Sequence, residues 1–149
     1  MTTIWHPKNS VSLDKINKLN QNTAIGYLDI KITHIGDDFI QGTMPVSQKT
    51  IQPQGLLHGG ASLTLAESLA SLGAALCVDM SKYNIVGHGI NANHVRSATE
   101  GMVTGIAKPV YLGGKTQVWE IKIYKSETEF VDETLCCVSR MTALRMTRR

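Results

Sequence analysis

The sequence predicts an α+β fold in which one antiparallel sheet curls around a single long apolar helix. The stretch Gly55 to Val78, GLLHGGASLTLAESLASLGAALCV, is built from Ala61 onward of Ala, Leu, Ser, Thr and Gly, with one charge, Glu67, near its middle. Ala and Leu favour helix, and the run is long enough for about five turns at roughly 3.6 residues each. A helix apolar on every side is normally buried. Two strand-like runs precede it and four follow, so strands and helix segregate along the chain. That order points to an antiparallel sheet covering the helix.

The elements follow in turn. Asn9 to Asn20 carries Val11, Leu13, Ile16 and Leu19 on a rough helical stripe, with Ser10 or Ser12 as the N-cap. From Gly26 the period changes: Leu28, Ile30 and Ile32 alternate with Asp29, Lys31 and Thr33, as in a half-buried strand. Gly36-Asp37-Asp38 marks a turn, and Phe39 to Val46 returns as a second strand. Pro45 and Pro53 bracket the loop into the helix, and polar Asp79 to Asn84 ends it. Further strands are expected at Ile85 to Arg96, Gly101 to Tyr111, Thr116 to Tyr124 and Thr134 to Met146. Turns at Ala98 to Gly101, Leu112 to Lys115 and Ser126 to Asp132 separate them. With no internal repeat, low-complexity tract or linker, residues 1–149 are expected to form one domain.

Composition excludes several classes. The net charge of +3 comes partly from Arg145, Arg148 and Arg149 in the tail, which suits an anionic small ligand rather than nucleic acid. The three cysteines are odd in number, and the adjacent Cys136 and Cys137 point to opposite faces of a strand. There is no CxxC and no His–Cys ligand spacing, so a reducing compartment, the cytoplasm, and no structural metal are expected. The opening MTTIWHPKNS lacks the pattern of a signal peptide. A membrane span over Gly55 to Val78 is disfavoured, because Glu67 at its centre costs about 2.5–3.5 kcal/mol.

A carboxylate in such apolar surroundings needs a partner, a raised pKa or a chemical task. Gln52-Pro53, then Gly55-Leu56-Leu57-His58-Gly59-Gly60 and Ala66-Glu67-Ser68, resembles the signature that leads into the central helix of hotdog-fold acyl-CoA thioesterases. Val86-Gly87 and Ile90-Asn91-Ala92-Asn93-His94-Val95-Arg96 are similar to one branch of that family. So are Leu112-Gly113, Gln117-Val118-Trp119 and Leu135-Cys136-Cys137-Val138-Ser139-Arg140. The branch contains the 1,4-dihydroxy-2-naphthoyl-CoA thioesterases of menaquinone synthesis and their aryl-carrier-protein proofreading relatives, and the resemblance runs from about Ile25 to Leu144. It implies a hotdog fold with five or six strands around the helix. It also implies hydrolysis of an aromatic acyl-CoA without a separate cofactor, coenzyme A being part of the substrate. An acyl or aryl carrier protein is an implied partner, and the implied assembly is a homodimer, often doubled to a homotetramer.

Thioester hydrolysis needs a base or nucleophile for the acyl carbon and donors for the oxygen that becomes anionic. Gly59 and Gly60, at a helix start, are expected to leave N–H groups free at the positive end of the helix dipole. Glu67 supplies a carboxylate, and Ser71, four residues on, shares its face. Gly59 and Glu67 are about 12 Å apart along one helix at roughly 1.5 Å per residue. A carbonyl held at Gly59 needs its attacking group within about 3–3.5 Å. Antiparallel helices of two subunits meet that requirement, so an obligate dimer with composite sites is expected.

The resemblance assigns further roles. It implies that Gly59 polarises the thioester carbonyl, that Gln52 and His58 orient that carbonyl and the leaving sulfur, and that Glu67 is base or nucleophile with Ser71 supporting it from the partner subunit's helix. It implies coenzyme A contacts at Gly87, at His94, Val95, Arg96 and Ser97, and at Tyr111, Leu112, Gly113, Gly114, Lys115 and Thr116. Arg96 and Lys115 suit phosphates, and Gly113-Gly114 permits close backbone approach. Gln54, His88-Gly89 and the long Ser126 to Asp132 turn depart from the closest pattern and bear on the acyl group. Blander roles exist for the same residues: helix packing for Ser71, a plain hairpin for Gly113-Gly114, a solvated face for Arg96. A non-catalytic acyl-CoA-binding module is the competing function, disfavoured by the retained glutamate. An enoyl-CoA hydratase would place a His a few residues along the helix from the acid, and none follows Glu67 within that helix.

Overall fold

The computed structural model describes residues 2–149. Helix α1 (Leu13–Asn20) begins at Ser12, whose hydroxyl accepts from the Lys15 N–H. That hydrogen bond satisfies one of the orphan donors of the first turn. Leu13 and Ile16 pack on the core, while Val11 and Leu19 stay exposed.

The chain then departs from expectation. Residues Ala24–Tyr27 form a short helix, α2, capped by the Thr23 hydroxyl on the Ile25 N–H, and strand β1 (Lys31–Ile35) starts later than Leu28. Leu28 and Ile30 donate their N–H groups back to Ala24 and Ile25, and Asp29 turns the chain at φ 56°. Ile30 and Ile32 still face inward, each 3% exposed. Alternation reports which side chains are buried, and a single locally bonded turn is invisible to it.

The remaining elements are β2 (Ile40–Pro45), α3 (Gly59–Leu76), β3 (Tyr83–His94), β4 (Met102–Leu112), β5 (Thr116–Tyr124) and β6 (Leu135–Thr147). They build one six-stranded sheet in the order β1-β2-β4-β5-β6-β3, with every neighbouring pair antiparallel. β3 is an edge strand, and its His88-Gly89 step is a bulge within a continuous strand.

α3 lies on the inner face of the sheet. Leu65, Ala66, Leu69, Ala70 and Ala74 are fully buried, together with Ile40, Met44, Val103, Ile121, Ile123 and Met141. Burying each large aliphatic chain contributes roughly 1.5–3 kcal/mol. The helix comes close because the strands are notched: a Cβ on Gly42 or Gly105 would lie 2.7 or 2.6 Å from Leu69. The opposite side of α3 differs from the all-round burial expected. Leu63, Thr64, Glu67, Ser68, Ser71, Leu72 and Ala75 are only half-buried, because one sheet covers one side of a helix.

The N-terminal segment closes the far end of α3. Trp5 stacks on Trp119 with ring centroids 6.4 Å apart and donates from Nε1 to the Gly36 carbonyl at 2.7 Å. Asn9 Nδ2 donates to the Leu76 and Val78 carbonyls at 2.8 and 2.7 Å, satisfying acceptors that a helix end leaves open. Among the described residues, no helix is long and apolar enough to cross a membrane.

Candidate active site

The loop before α3 is held by its own backbone. The N–H groups of Gln52, Leu57 and His58 donate to Leu56, Ala98 and Thr50. The helix then starts at Gly59. His58 is its N-cap: Nδ1 accepts the Gly60 N–H at 2.8 Å, and its carbonyl accepts from Ala61 and Ser62. This corrects the expectation that Gly59 and Gly60 both present free donors. Gly60 is taken by the imidazole, while the Gly59 N–H has no acceptor among the described residues. It stands at the positive end of the helix dipole.

A cleft of about 350 Å³ opens beside that N–H, lined among others by Gln52, Gly59, Ser62, His94, Arg96 and Cys136. Val95 and Ser97 also face it. The His94 ring lies so close that a Cβ on Gly59 would sit 2.8 Å from its Nε2. Only glycine admits both the ring and a ligand atom at that backbone. Arg96 is exposed and donates from Nη1 to the Leu135 carbonyl at 3.0 Å. Gln52 Oε1 accepts the Gln54 N–H, and His58 is exposed and outside the cleft lining. Burial pushes the Cys136 thiol up to about 11, with Cys137 beside it adding to the shift. A thiol so held is protonated at neutral pH and inert as a nucleophile.

Glu67 opens into a different cleft of about 380 Å³, shared with Ser68, Ser71 and Leu72 of α3 and with Ile16, Asn20, Ile25 and Ile32. Its carboxylate rests against β3, where a Cβ on Gly87 would lie 2.5 Å from Oε1. Among the described residues it has no hydrogen-bond or ion-pair partner. Ser71 shares the face and cleft of Glu67, but its hydroxyl donates to Met141 Sδ at 3.7 Å.

The third group lies elsewhere. Tyr111 and Leu112 are exposed at the β4–β5 hairpin, where the Gly113 N–H donates to the Thr116 carbonyl at 2.9 Å. Leu112 pairs with Gln117, Gln117 with Ala143, and Ala143 with Gly87, so hairpin base and Gly87 share one row across the sheet. His94 is about 23 Å further along β3 at roughly 3.3 Å per residue. Within one chain, Tyr111 to Thr116, including Gly114 and Lys115, therefore sit far from Arg96.

Sequence reasoning missed Ser62, Leu56, Leu57 and Cys136 in the first cleft, and the α1–α2 wall of the second. Ser62 was readable, standing three residues after Gly59 on a helix. Asn20 and Ile25 carry no local signal, since only the tertiary fold brings α1 and α2 to α3.

Comparison with known proteins identifies the family and the fold. The family model described as the thioesterase superfamily matches residues 54–132. A 1,4-dihydroxy-2-naphthoyl-CoA hydrolase of Escherichia coli is 48% identical over 139 residues, covering 93% of this chain and 96% of the relative. The proofreading thioesterase EntH of Cronobacter turicensis is 40% identical, with 93% and 96% covered. A crystal structure of a thioesterase from Haemophilus influenzae superposes with TM-score 0.87 at 42% identity, covering 97% of this chain and 96% of that one. A mutant thioesterase from Pseudomonas aeruginosa superposes with TM-score 0.90 at 36% identity, covering 98% and 100%. The six-stranded antiparallel sheet on one long helix is the hotdog fold, and the chain belongs to the thioesterase superfamily as a thioester hydrolase.

Proposed function

We propose that the protein hydrolyses an aromatic acyl-CoA, of the 1,4-dihydroxy-2-naphthoyl or benzoyl type, to the free acid and coenzyme A, at sites shared between two subunits. One observation carries the reading: the unpartnered Glu67 carboxylate and the free Gly59 N–H open into separate clefts of the same chain. Each cleft holds half of what the chemistry needs. Two features support a dimer. The outward side of α3 sets Leu63, Leu72 and Ala75 among the short hydroxyl side chains Thr64, Ser68 and Ser71 and is only half covered, and β3 is a 12-residue edge strand paired on one side alone. Paired copies bring one subunit's Gly59 cleft to Glu67 of the partner subunit; a dimer of dimers is the larger assembly consistent with that pairing.

In this mechanism the thioester carbonyl accepts from the Gly59 N–H, whose charge complementarity grows as the oxygen becomes anionic. Glu67 of the partner subunit either takes a proton from water as the water oxygen adds to the acyl carbon, or adds to that carbon itself. The C–S bond then breaks, and the thiolate of coenzyme A leaves and is protonated. In the second route water opens the resulting anhydride. Gln52 orients the carbonyl from the cleft wall, His58 acts on it indirectly by capping the helix that carries the Gly59 N–H, Ser71 supports the glutamate's helix face, and His94 to Ser97, Gly87 and the Tyr111 to Thr116 hairpin hold coenzyme A. The relatives named above favour the aromatic acyl group, and an acyl or aryl carrier protein is the alternative donor to include in assays.

The test is release of free thiol from dihydroxynaphthoyl-, benzoyl- and medium-chain acyl-CoA, compared by kcat/KM. Glu67→Gln is expected to lower kcat by about 10²–10⁴-fold, the range for losing a positioned base. Absence of thiol release across the panel leaves the non-catalytic binding module.

A further inference from the structure

The first turn of α3 offers a ligand oxygen one backbone donor and not two. The Gly60 N–H is bonded to the His58 imidazole at 2.8 Å, and those of Ala61 and Ser62 to the His58 carbonyl, so that of Gly59 alone stays free. A developing oxyanion is ordinarily met by a set of donors. Ser62 stands three residues after Gly59 in the same helix and lines the same cleft. Helical side chains lean back over the preceding turn, which carries its hydroxyl toward the Gly59 N–H. Ser62 is 3% exposed, yet among the described residues its hydroxyl has no hydrogen-bond partner. Its neighbours differ. Thr64 and Ser68 donate to the carbonyls four residues back, Gly60 and Thr64, at 3.0 and 2.6 Å, the usual way to satisfy a hydroxyl within a helix. Among the described residues, Thr104 Oγ1 is the one side-chain oxygen both sealed from solvent and unpartnered. The unpartnered hydroxyl of Ser62 is therefore the part of that buried residue that reaches the cleft.

Resting on the thioester-hydrolase reading above, we infer that Ser62 is a further catalytic residue, its hydroxyl joining the Gly59 N–H in a two-donor site for the thioester oxygen. When the attacking oxygen adds to the acyl carbon, the carbonyl π electrons move onto that oxygen and both hydrogen bonds strengthen. When those electrons return, the C–S bond breaks and the thiolate leaves. The O–H bond of Ser62 stays intact throughout. Ser62 is a donor and not the nucleophile, because no base is set to take its proton. His58 Nδ1 is engaged by the Gly60 N–H, and the His94 ring, which lies against Gly59, makes no hydrogen bond to Ser62.

Kinetics and a carbonyl spectrum test the assignment. Ser62→Ala removes the hydroxyl, and because Ala favours helix the fold should survive, which a thermal melt checks. Its kcat for benzoyl-CoA is expected to fall about 10²–10³-fold with KM little changed, the split that marks a contact strengthened in the transition state. Ser62→Cys returns a weaker donor of similar size and should fall between the two. A packing role would not move the second reading. With benzoyl-CoA isotope-labelled at its carbonyl carbon and bound to Glu67→Gln, adding Ser62→Ala should shift the infrared C=O stretch to higher frequency. An unchanged kcat in Ser62→Ala, an effect on KM alone, or a carbonyl band that stays in place overturns the assignment. A band that moves as expected, in a protein that releases no thiol from any substrate of the panel, overturns the hydrolase reading and leaves the two-donor site standing.

Discussion

The carboxylate of Glu67 rests against the α-carbon of Gly87, so that a methyl group placed there would lie 2.5 Å from Oε1. No real Cβ tolerates that distance, and the end of a flexible side chain is what must yield. Gly87→Ala is therefore expected to move the carboxylate while sparing the fold. A displacement of about 1 Å at a reacting group costs on the order of 10²-fold in rate. Thiol-release kinetics should show that loss, with a thermal melt close to that of the unmodified protein.

Gly59→Ala and Glu67→Gln together test whether sites are shared. The added methyl would meet the His94 ring at 2.8 Å and obstruct the cleft, so each variant alone should be nearly inactive. In dimers with composite sites, a mixed pair regains one intact site of two. Co-refolding equal amounts should restore about a quarter of the unmodified activity, as random pairing in a symmetric dimer requires. Sites contained within one chain would leave the mixture as inactive as its parents.

Trp5 is 8% exposed and covers the Trp119 end of the core. Trp5→Ala removes the stack and the indole hydrogen bond to Gly36, and should destabilise the fold by about 3–5 kcal/mol. Denaturant unfolding monitored by circular dichroism measures it.

Asp79 ties the end of α3 to the N-terminal segment. The Ser81 hydroxyl, donating at 2.6 Å, does most to hold its pKa down to about 2, with the Ser81 N–H and the Lys8 ammonium assisting against burial. A carboxylate lowered in the folded state stabilises wherever it is ionised. Its contribution is complete above the ordinary carboxylate value of about 4 and is lost as pH falls through about 2. Asp79→Asn should lower the unfolding midpoint near neutral pH and flatten its decline across that acid window, read from melts along a pH series.

Much of the molecule was legible in the sequence because it is written in local patterns. Alternation and turn residues located β2 through β6 to within two residues, and the Ala-Leu run with its lone Glu67 located α3. Separation of Gly59 from Glu67 along one helix was also readable, since helical rise is constant. Tertiary structure decided what depends on groups distant in the chain. It put β3 beside β6 at the sheet edge, leaned Glu67 on Gly87, and let His58 claim the Gly60 N–H while leaving that of Gly59 free. It also turned Ala24–Tyr27 into a helix and folded that corner over Glu67's cleft. The physical reason is range. Periodicity and capping act over one or two turns, whereas the lining of a cleft follows from which faces the whole chain packs together.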